Sequence, residues 1–159
     1  MVTEEFERLY NEHAAALLAF LEYRTGNVEL AKDVHADTFE RVLKTRWRFD
    51  PRKGSQKTWL YTIALNLLRD HARRAAAEGR AVEKVGHPVP GGRDELDSVE
   101  RRDELQRALA TLAEEERDAI ALRFGADLTV PEMAKLLGEP LTTVEGRVYR
   151  ALRKLRERL

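Results

Sequence analysis

The chain has 159 residues, is 43% hydrophobic and balances 28 Lys and Arg against 28 Asp and Glu, so length allows one ordinary domain or two small ones. Nine of its eleven aromatic residues fall in the first 61 positions, which favours two unequal units with the larger core at the N-terminus. With no Cys, four scattered His and no apolar run longer than Ala14 to Leu21, the composition excludes disulfide and thiolate-metal chemistry and predicts a soluble, cytoplasmic chain without cofactor or membrane insertion.

The spacing of apolar residues is helical almost throughout. Thr3, followed by two Glu, is expected to cap a first helix to about Tyr23, with Phe6, Leu9, Tyr10, Leu17 and Phe20 or Leu21 inward. Thr25-Gly26-Asn27 breaks it, and Asn27 is placed to cap a second helix carrying Leu30, Val34, Thr38, Phe39, Val42 and Leu43 on one stripe to about Trp47. A turn-rich stretch, Asp50 to Ser55, separates this from a third helix that buries Trp59, Leu60, Ile63, Ala64, Leu67 and Leu68. Residues 76–100 contain four Gly and two Pro and have the composition of a flexible linker. Further helices are expected from about Asp97 to Leu112, Glu114 to Phe124, Thr129 to Leu137, and Thr142 to the end.

Zero net charge conceals strong patterning. Residues 1–40 hold three basic and nine acidic side chains, and residues 41–75 hold ten basic and two acidic. Residues 140–159 hold six basic and two acidic, so each candidate domain ends in a basic block suited to a polyanion. Solvated helix faces would have the same charge pattern, and on the charge runs alone this reading stays open.

The most specific local pattern lies near the C-terminus. Thr129-Val130-Pro131-Glu132 has the form of a capping box with Pro in the first turn, and Gly138 supplies a left-handed stop. Thr142 or Thr143 is then expected to cap a helix burying Val144, Val148, Ala151, Leu152, Leu155 and Leu159. On the opposite side lie Thr143, Gly146, Arg147, Arg150, Arg153 and Lys154, a face that fits a major groove in a helix-turn-helix arrangement.

Several blocks together resemble one family. Phe6-Glu7-Arg8-Leu9-Tyr10, Ala31-Lys32-Asp33-Val34 through Asp37-Thr38-Phe39, Phe49-Asp50-Pro51, Thr58 through Asn66, and Asp70 with Arg73-Arg74 are similar to sigma domain two. Ala121-Leu122-Arg123-Phe124, Glu132-Met133-Ala134, and Thr143-Val144 with Arg147 through Ala151 are similar to sigma domain four. The chain thus resembles the extracytoplasmic function (ECF) group of bacterial sigma-70 factors. This implies an all-α architecture of two small helical domains: 1–75 for core polymerase and minus-10 DNA, a linker at 76–100, and 101–159 for minus-35 DNA.

The resemblance also implies roles. Asp33, Asp37, Arg41 and Lys44 match positions that dock on the polymerase clamp helices, although Ala36 stands where the family usually has Gln. The segment Phe49 to Lys57 matches the loop that captures an extruded minus-10 base, bringing in Arg52, Lys53 and Lys57. Tyr61 is expected beside the DNA, whereas Trp59 lies on the apolar stripe. Thr62, Asn66, Arg69 and Arg73, spaced four, three and four apart, share a stripe away from the buried face, with the Arg pair suited to phosphate and Asn66 to a base edge. For minus-35 DNA the matching residues are Thr142, Thr143, Glu145, Gly146, Arg147, Tyr149, Arg150 and Arg153, with Arg150 suited to guanine. Glu145 and Gly146 replace the family's usual basic residue and Ser, which points to an unusual minus-35 preference.

No catalytic or phosphate-loop motif competes, so an enzyme is not expected. The implied partners are core RNA polymerase, promoter DNA and an anti-sigma factor. The alternative class is a sigma-like decoy that binds polymerase or an anti-sigma protein without reading promoters. A flexible tether of roughly 25 residues further predicts no fixed arrangement of the two domains in the free chain.

Overall fold

The computed structural model describes residues 2–79 and 96–159. Helices α1 (Val2–Thr25), α2 (Val28–Thr45) and α3 (Gln56–Ala77) form an N-terminal bundle, and α4 (Leu96–Ala110), α5 (Glu114–Ile120), α6 (Val130–Leu137) and α7 (Leu141–Arg158) form the C-terminal half. A single 3₁₀ turn, Arg46–Arg48, follows α2, and a π-helical turn, Ala121–Gly125, follows α5.

The helix boundaries have local causes. The Thr25 hydroxyl donates to the Leu21 carbonyl at 2.7 Å, and Gly26 turns the chain at φ +64°, a conformation that costs a Cβ-bearing residue strain. Asn27 then accepts from the Leu30 amide at 3.1 Å and opens α2. Ser55 does the same for α3 through the Thr58 amide at 3.1 Å. Thr129 and Glu132 form the reciprocal capping box of α6, and Gly138 ends that helix at φ +65°.

Three expected boundaries move. Helix α1 already begins at Val2, so Thr3 lies inside its first turn rather than capping it. The N-cap of α7 is Pro140, which places Thr142 and Thr143 in the first turn. The helix expected to run to Phe124 stops at Ile120 and widens into the π turn, where the Ala126 amide reaches the Ala121 carbonyl at 2.9 Å. Of the expected linker, 80–95 lies outside the described residues, while α3 runs to Ala77 and α4 starts at Leu96.

Leu17, Phe20 and Leu21 of α1, Val34 and Val42 of α2, and Leu60, Tyr61, Ala64 and Leu65 of α3 are almost fully buried. Each large apolar side chain removed from water contributes roughly 1.5–3 kcal/mol. Tyr10 and Leu43, expected inward, are each more than two-fifths exposed at the bundle's edge.

The C-terminal half closes a small core of its own from Ala108, Leu109, Leu112, Ile120, Ala151 and Leu155. Its other buried residues, Leu122, Leu128, Met133, Val144 and Val148, join one continuous apolar cluster with the N-terminal bundle. The two halves therefore pack on each other, contrary to the expectation of an unfixed arrangement. The physical reason is size: a unit of about 60 residues buries too little surface alone and gains by covering its remaining apolar face. The π turn lies against α1, where a Cβ on Gly125 would make ordinary contact with the rings of Phe20 and Tyr23 at 3.5 Å.

Candidate nucleic-acid and polymerase interfaces

On α2, Asp33 is exposed, and Asp37 is half-buried with a carboxylate oxygen 2.8 Å from His71 Nε2 of α3. Lys44 pairs with Glu40 one turn earlier at 2.7 Å, and Arg41 is exposed. The four residues share one side of α2, with Asp37 also serving the bundle.

Between α2 and α3 the chain is held by Asp50, whose carboxyl is kept below its usual range by the Arg52 amide first and then the Arg52 side chain. Arg52 and Lys53 are exposed on this turn. Behind it the Phe49 and Trp59 rings pack 5.4 Å apart, and Trp59 forms part of the wall of a 230 Å³ cleft. Arg41, Thr45, Arg48, Ile63, Asn66, Leu67 and Asp70 complete the lining, with Trp59. The cleft thus joins an aromatic face, two guanidinium groups and the exposed amide of Asn66.

The α3 stripe is only partly as expected. Asn66 and Arg73 are exposed, with Arg73 paired to Asp70, while the Thr62 hydroxyl donates back to the Thr58 carbonyl at 2.7 Å. Tyr61, expected beside DNA, is 1% exposed; its ring meets Phe20 edge-on at 5.1 Å, and burial pushes its phenol up to about 12. It is a core residue because its position on α3 points at α1. Lys57 lies 6.0 Å from the Tyr61 ring centre. Arg69 is engaged by Asp118 of α5 at 3.1 Å, a partner that no local sequence pattern indicated.

On α7, Thr142, Thr143, Glu145, Tyr149, Arg150 and Arg153 are exposed, Tyr149 at 71%. A Cβ at Gly146 would stand 3.3 Å from the Arg150 guanidinium, which this exposed side chain can accommodate by a shift of a few tenths of an ångström. Arg147 departs from its expected outward place. It donates two hydrogen bonds to the Glu139 carboxylate, at 2.8 and 2.6 Å, across the turn between α6 and α7. The pairing holds Glu139 below, and Arg147 above, their usual pKa ranges. Farther along, Lys154 donates to Glu116 of α5 at 2.9 Å, fixing α7 against that helix.

The arrangement is two exposed basic helix faces and a mixed face on α2, set on an all-helical frame. Among the described residues no three His, Asp or Glu are grouped to hold a metal, and no helix is long and apolar enough to cross a membrane. Residues 9–78 match the family model of sigma-70 region 2, and residues 102–155 match that of sigma-70 region 4. The ECF RNA polymerase sigma factor RpoE of Cereibacter sphaeroides is 31% identical over 160 residues, covering 97% of this chain and 86% of the relative. The chain belongs to the ECF group of the sigma-70 family.

A second ECF sigma factor, BldN of Streptomyces coelicolor, is 28% identical over 163 residues; the match takes in 96% of this chain but only 59% of BldN. Among solved structures, the sigma factor RpoE from Bartonella quintana, crystallised with the anti-sigma factor NepR, aligns over 98% of this chain and 96% of its own with a TM-score of 0.82 and 25% identity. The protein is thus an ECF-type sigma factor, a non-enzymatic, promoter-directing factor of transcription initiation.

Proposed function

We propose that this sigma factor divides promoter reading between its two halves while α2 docks on core RNA polymerase. Asp33, Asp37, Arg41 and Lys44 form the docking face for the clamp helices. Residues 1–75 carry polymerase and minus-10 contacts, 101–159 carry minus-35 contacts, and 76–100 connect them, in the cytoplasm where polymerase works.

The observation that carries the minus-10 assignment is the 230 Å³ cleft walled by Trp59, against which Phe49 packs, with Asn66 also in its lining. An unstacked base needs an aromatic or apolar surface and hydrogen-bonding edges, and nearby guanidinium groups offset the cost of extruding it. Arg52 and Lys53 are exposed on the loop before α3, Lys57 lies in its first turn over the Tyr61 ring, and Arg73 is exposed farther along the helix. Tyr61 contributes by packing rather than by contact with DNA, and Thr62 stays on the half-exposed stripe with Asn66.

For minus-35 DNA, Thr142, Thr143, Glu145, Tyr149, Arg150 and Arg153 present the outward face of α7. Arg150 is the guanine reader, and Glu145 suits a cytosine amino group. Arg147 acts one layer behind, bracing the helix through Glu139, and Gly146 lies beside the Arg150 guanidinium. The whole-chain likeness to a sigma factor crystallised with its anti-sigma factor supports an anti-sigma partner for this chain too.

The test separates the two halves. In holoenzyme made with purified core, Arg150→Ala should weaken binding to closed duplex DNA by about 1–3 kcal/mol. Asn66→Ala should leave duplex binding intact and slow strand opening. If Arg150→Ala left duplex affinity unaltered at several salt concentrations, the α7 register would be wrong.

A further inference from the structure

Of the four α2 residues on the docking face, the middle two are turned toward α3. Arg41 lines the cleft between the two helices, and the Asp37 carboxylate meets His71 of α3, 34 residues later in the sequence. His71 Nε2 stands 2.8 Å from Asp37 Oδ2. An ionised carboxylate can only accept, so the imidazole is the donor and its hydrogen is on Nε2. The bond uses Oδ2 and leaves Oδ1 for a partner.

Burial is graded across this pair. The His71 side chain is 19% exposed and that of Asp37 45%, so the donor sits inside the bundle while the acceptor reaches its surface. Asp33, four residues earlier, is exposed and lies about 6 Å farther along α2. A surface Asp samples several χ1 wells and a broad χ2, and a partner that needs one geometry has to immobilise it on binding. At Asp37 the imidazole supplies that order in the free chain.

We propose that His71 is a positioning residue for polymerase docking, whose Nε2–H holds the Asp37 carboxylate in the orientation that presents Oδ1 to a basic side chain of polymerase. The proposal rests on the assignment of α2 to docking. The docking face is accordingly composite: α2 supplies the charge and α3 its direction. Asp70, the residue before His71, lines the cleft together with Asn66, so the helix that orients the docking carboxylate also carries the wall assigned to minus-10 DNA.

Two properties of the imidazole can be separated by substitution. His71→Phe keeps a ring and loses the donor, whereas His71→Gln loses the ring and keeps an N–H donor. His71→Leu, a second substitution without a donor, repeats the comparison with a smaller side chain. Each full-length variant is competed against labelled wild type for purified core, with helix content and a thermal melt recorded beside it. His71→Phe and His71→Leu should weaken core binding about three- to tenfold, the loss expected when one side chain is ordered during binding rather than before it. His71→Gln should restore affinity to within about twofold of wild type, whatever its melting temperature. Added to Asp37→Ala, His71→Phe should cost no further affinity; added to Asp33→Ala, it should cost its full amount.

Wild-type affinity in both His71→Phe and His71→Leu would overturn the proposal, as would affinities that simply follow the melting temperatures, with His71→Gln no better than His71→Phe. A full loss from His71→Phe in the Asp37→Ala background would also overturn it, because His71 would then act through another residue. The docking assignment fails by a different result, wild-type affinity in Asp37→Ala itself, and that result would remove the proposal with it.

Discussion

Arg147 and Glu139 face each other across the α6–α7 turn as a two-bond pair, at 2.8 and 2.6 Å. The side chain that the sequence places on the DNA face is therefore a brace that sets the angle of α7. Arg147→Ala and Glu139→Ala should each cost about 1 kcal/mol, or about 3 °C in Tm, after allowance for the pair's partial exposure. Both should weaken minus-35 binding alike without altering its salt dependence. If Glu139→Ala instead strengthened DNA binding, Arg147 would be a phosphate contact held back by Glu139.

The same pair gives the C-terminal half its acid sensitivity. Glu139 is held low by Arg147, and Glu132 by the Thr129 amide; Glu116 is also low despite the burial that opposes it, because Lys154 and the Ala113 amide bind it. A depressed carboxylate contributes stability that is fully present above its ordinary value of about 4.5 and is lost as pH falls through the lower, folded-state value. Thermal melts should accordingly be flat above about pH 5 and fall steeply below 4.5, and Glu139→Gln should make that fall shallower. An acid limb as steep in Glu139→Gln as in wild type would remove the pair from this account.

Tyr61 supplies a separation of packing from recognition. Tyr61→Ala should cost about 3–5 kcal/mol, as for other large aromatic truncations, whereas Tyr61→Phe should cost less than about 1 kcal/mol and leave minus-10 binding unchanged. Ultraviolet titration should show Tyr61 ionising only near 12, with Tyr23 also late because of burial. A Tyr61→Phe protein that folds normally but loses minus-10 affinity would restore Tyr61 to the DNA face.

On α2 the two acidic residues are not equivalent probes. Asp33→Arg should weaken competition for core polymerase while leaving stability within about 0.5 kcal/mol of wild type, since it is an exposed position. Asp37→Arg should lose core affinity and some stability together, because it also breaks the 2.8 Å contact with His71. Core affinity unchanged in both would take the docking face off α2.

What was legible in the sequence was local. Asn27, Ser55, the Thr129–Glu132 box and Gly138 act within three or four residues, so their spacing alone announces them. Apolar periodicity likewise placed Leu17, Val34, Leu60 and Val144 in the core. The errors came where distant parts of the chain decide. By its angle from Trp59, Tyr61 would face outward on α3 alone, and Phe20 of α1 is what covers it; Arg69 is likewise taken by Asp118, 49 residues away in sequence. The π turn at Ala121–Gly125 leaves no periodicity that differs enough from an α-helix to be read over five residues. The packing of the two halves was hidden for the same reason, since linker composition speaks of the tether and not of the faces it allows to meet.

The central claim is that this chain directs initiation rather than merely occupying polymerase. Run-off transcription by purified core on a pool of genomic promoter fragments, with and without the chain, tests it most directly. The account predicts discrete transcripts that depend on the chain, that are lost with Asn66→Ala at the opening step, and that are reduced with Arg150→Ala at the binding step. Core binding at full affinity with no chain-dependent transcript from any fragment would contradict it, and would describe a polymerase-binding decoy instead.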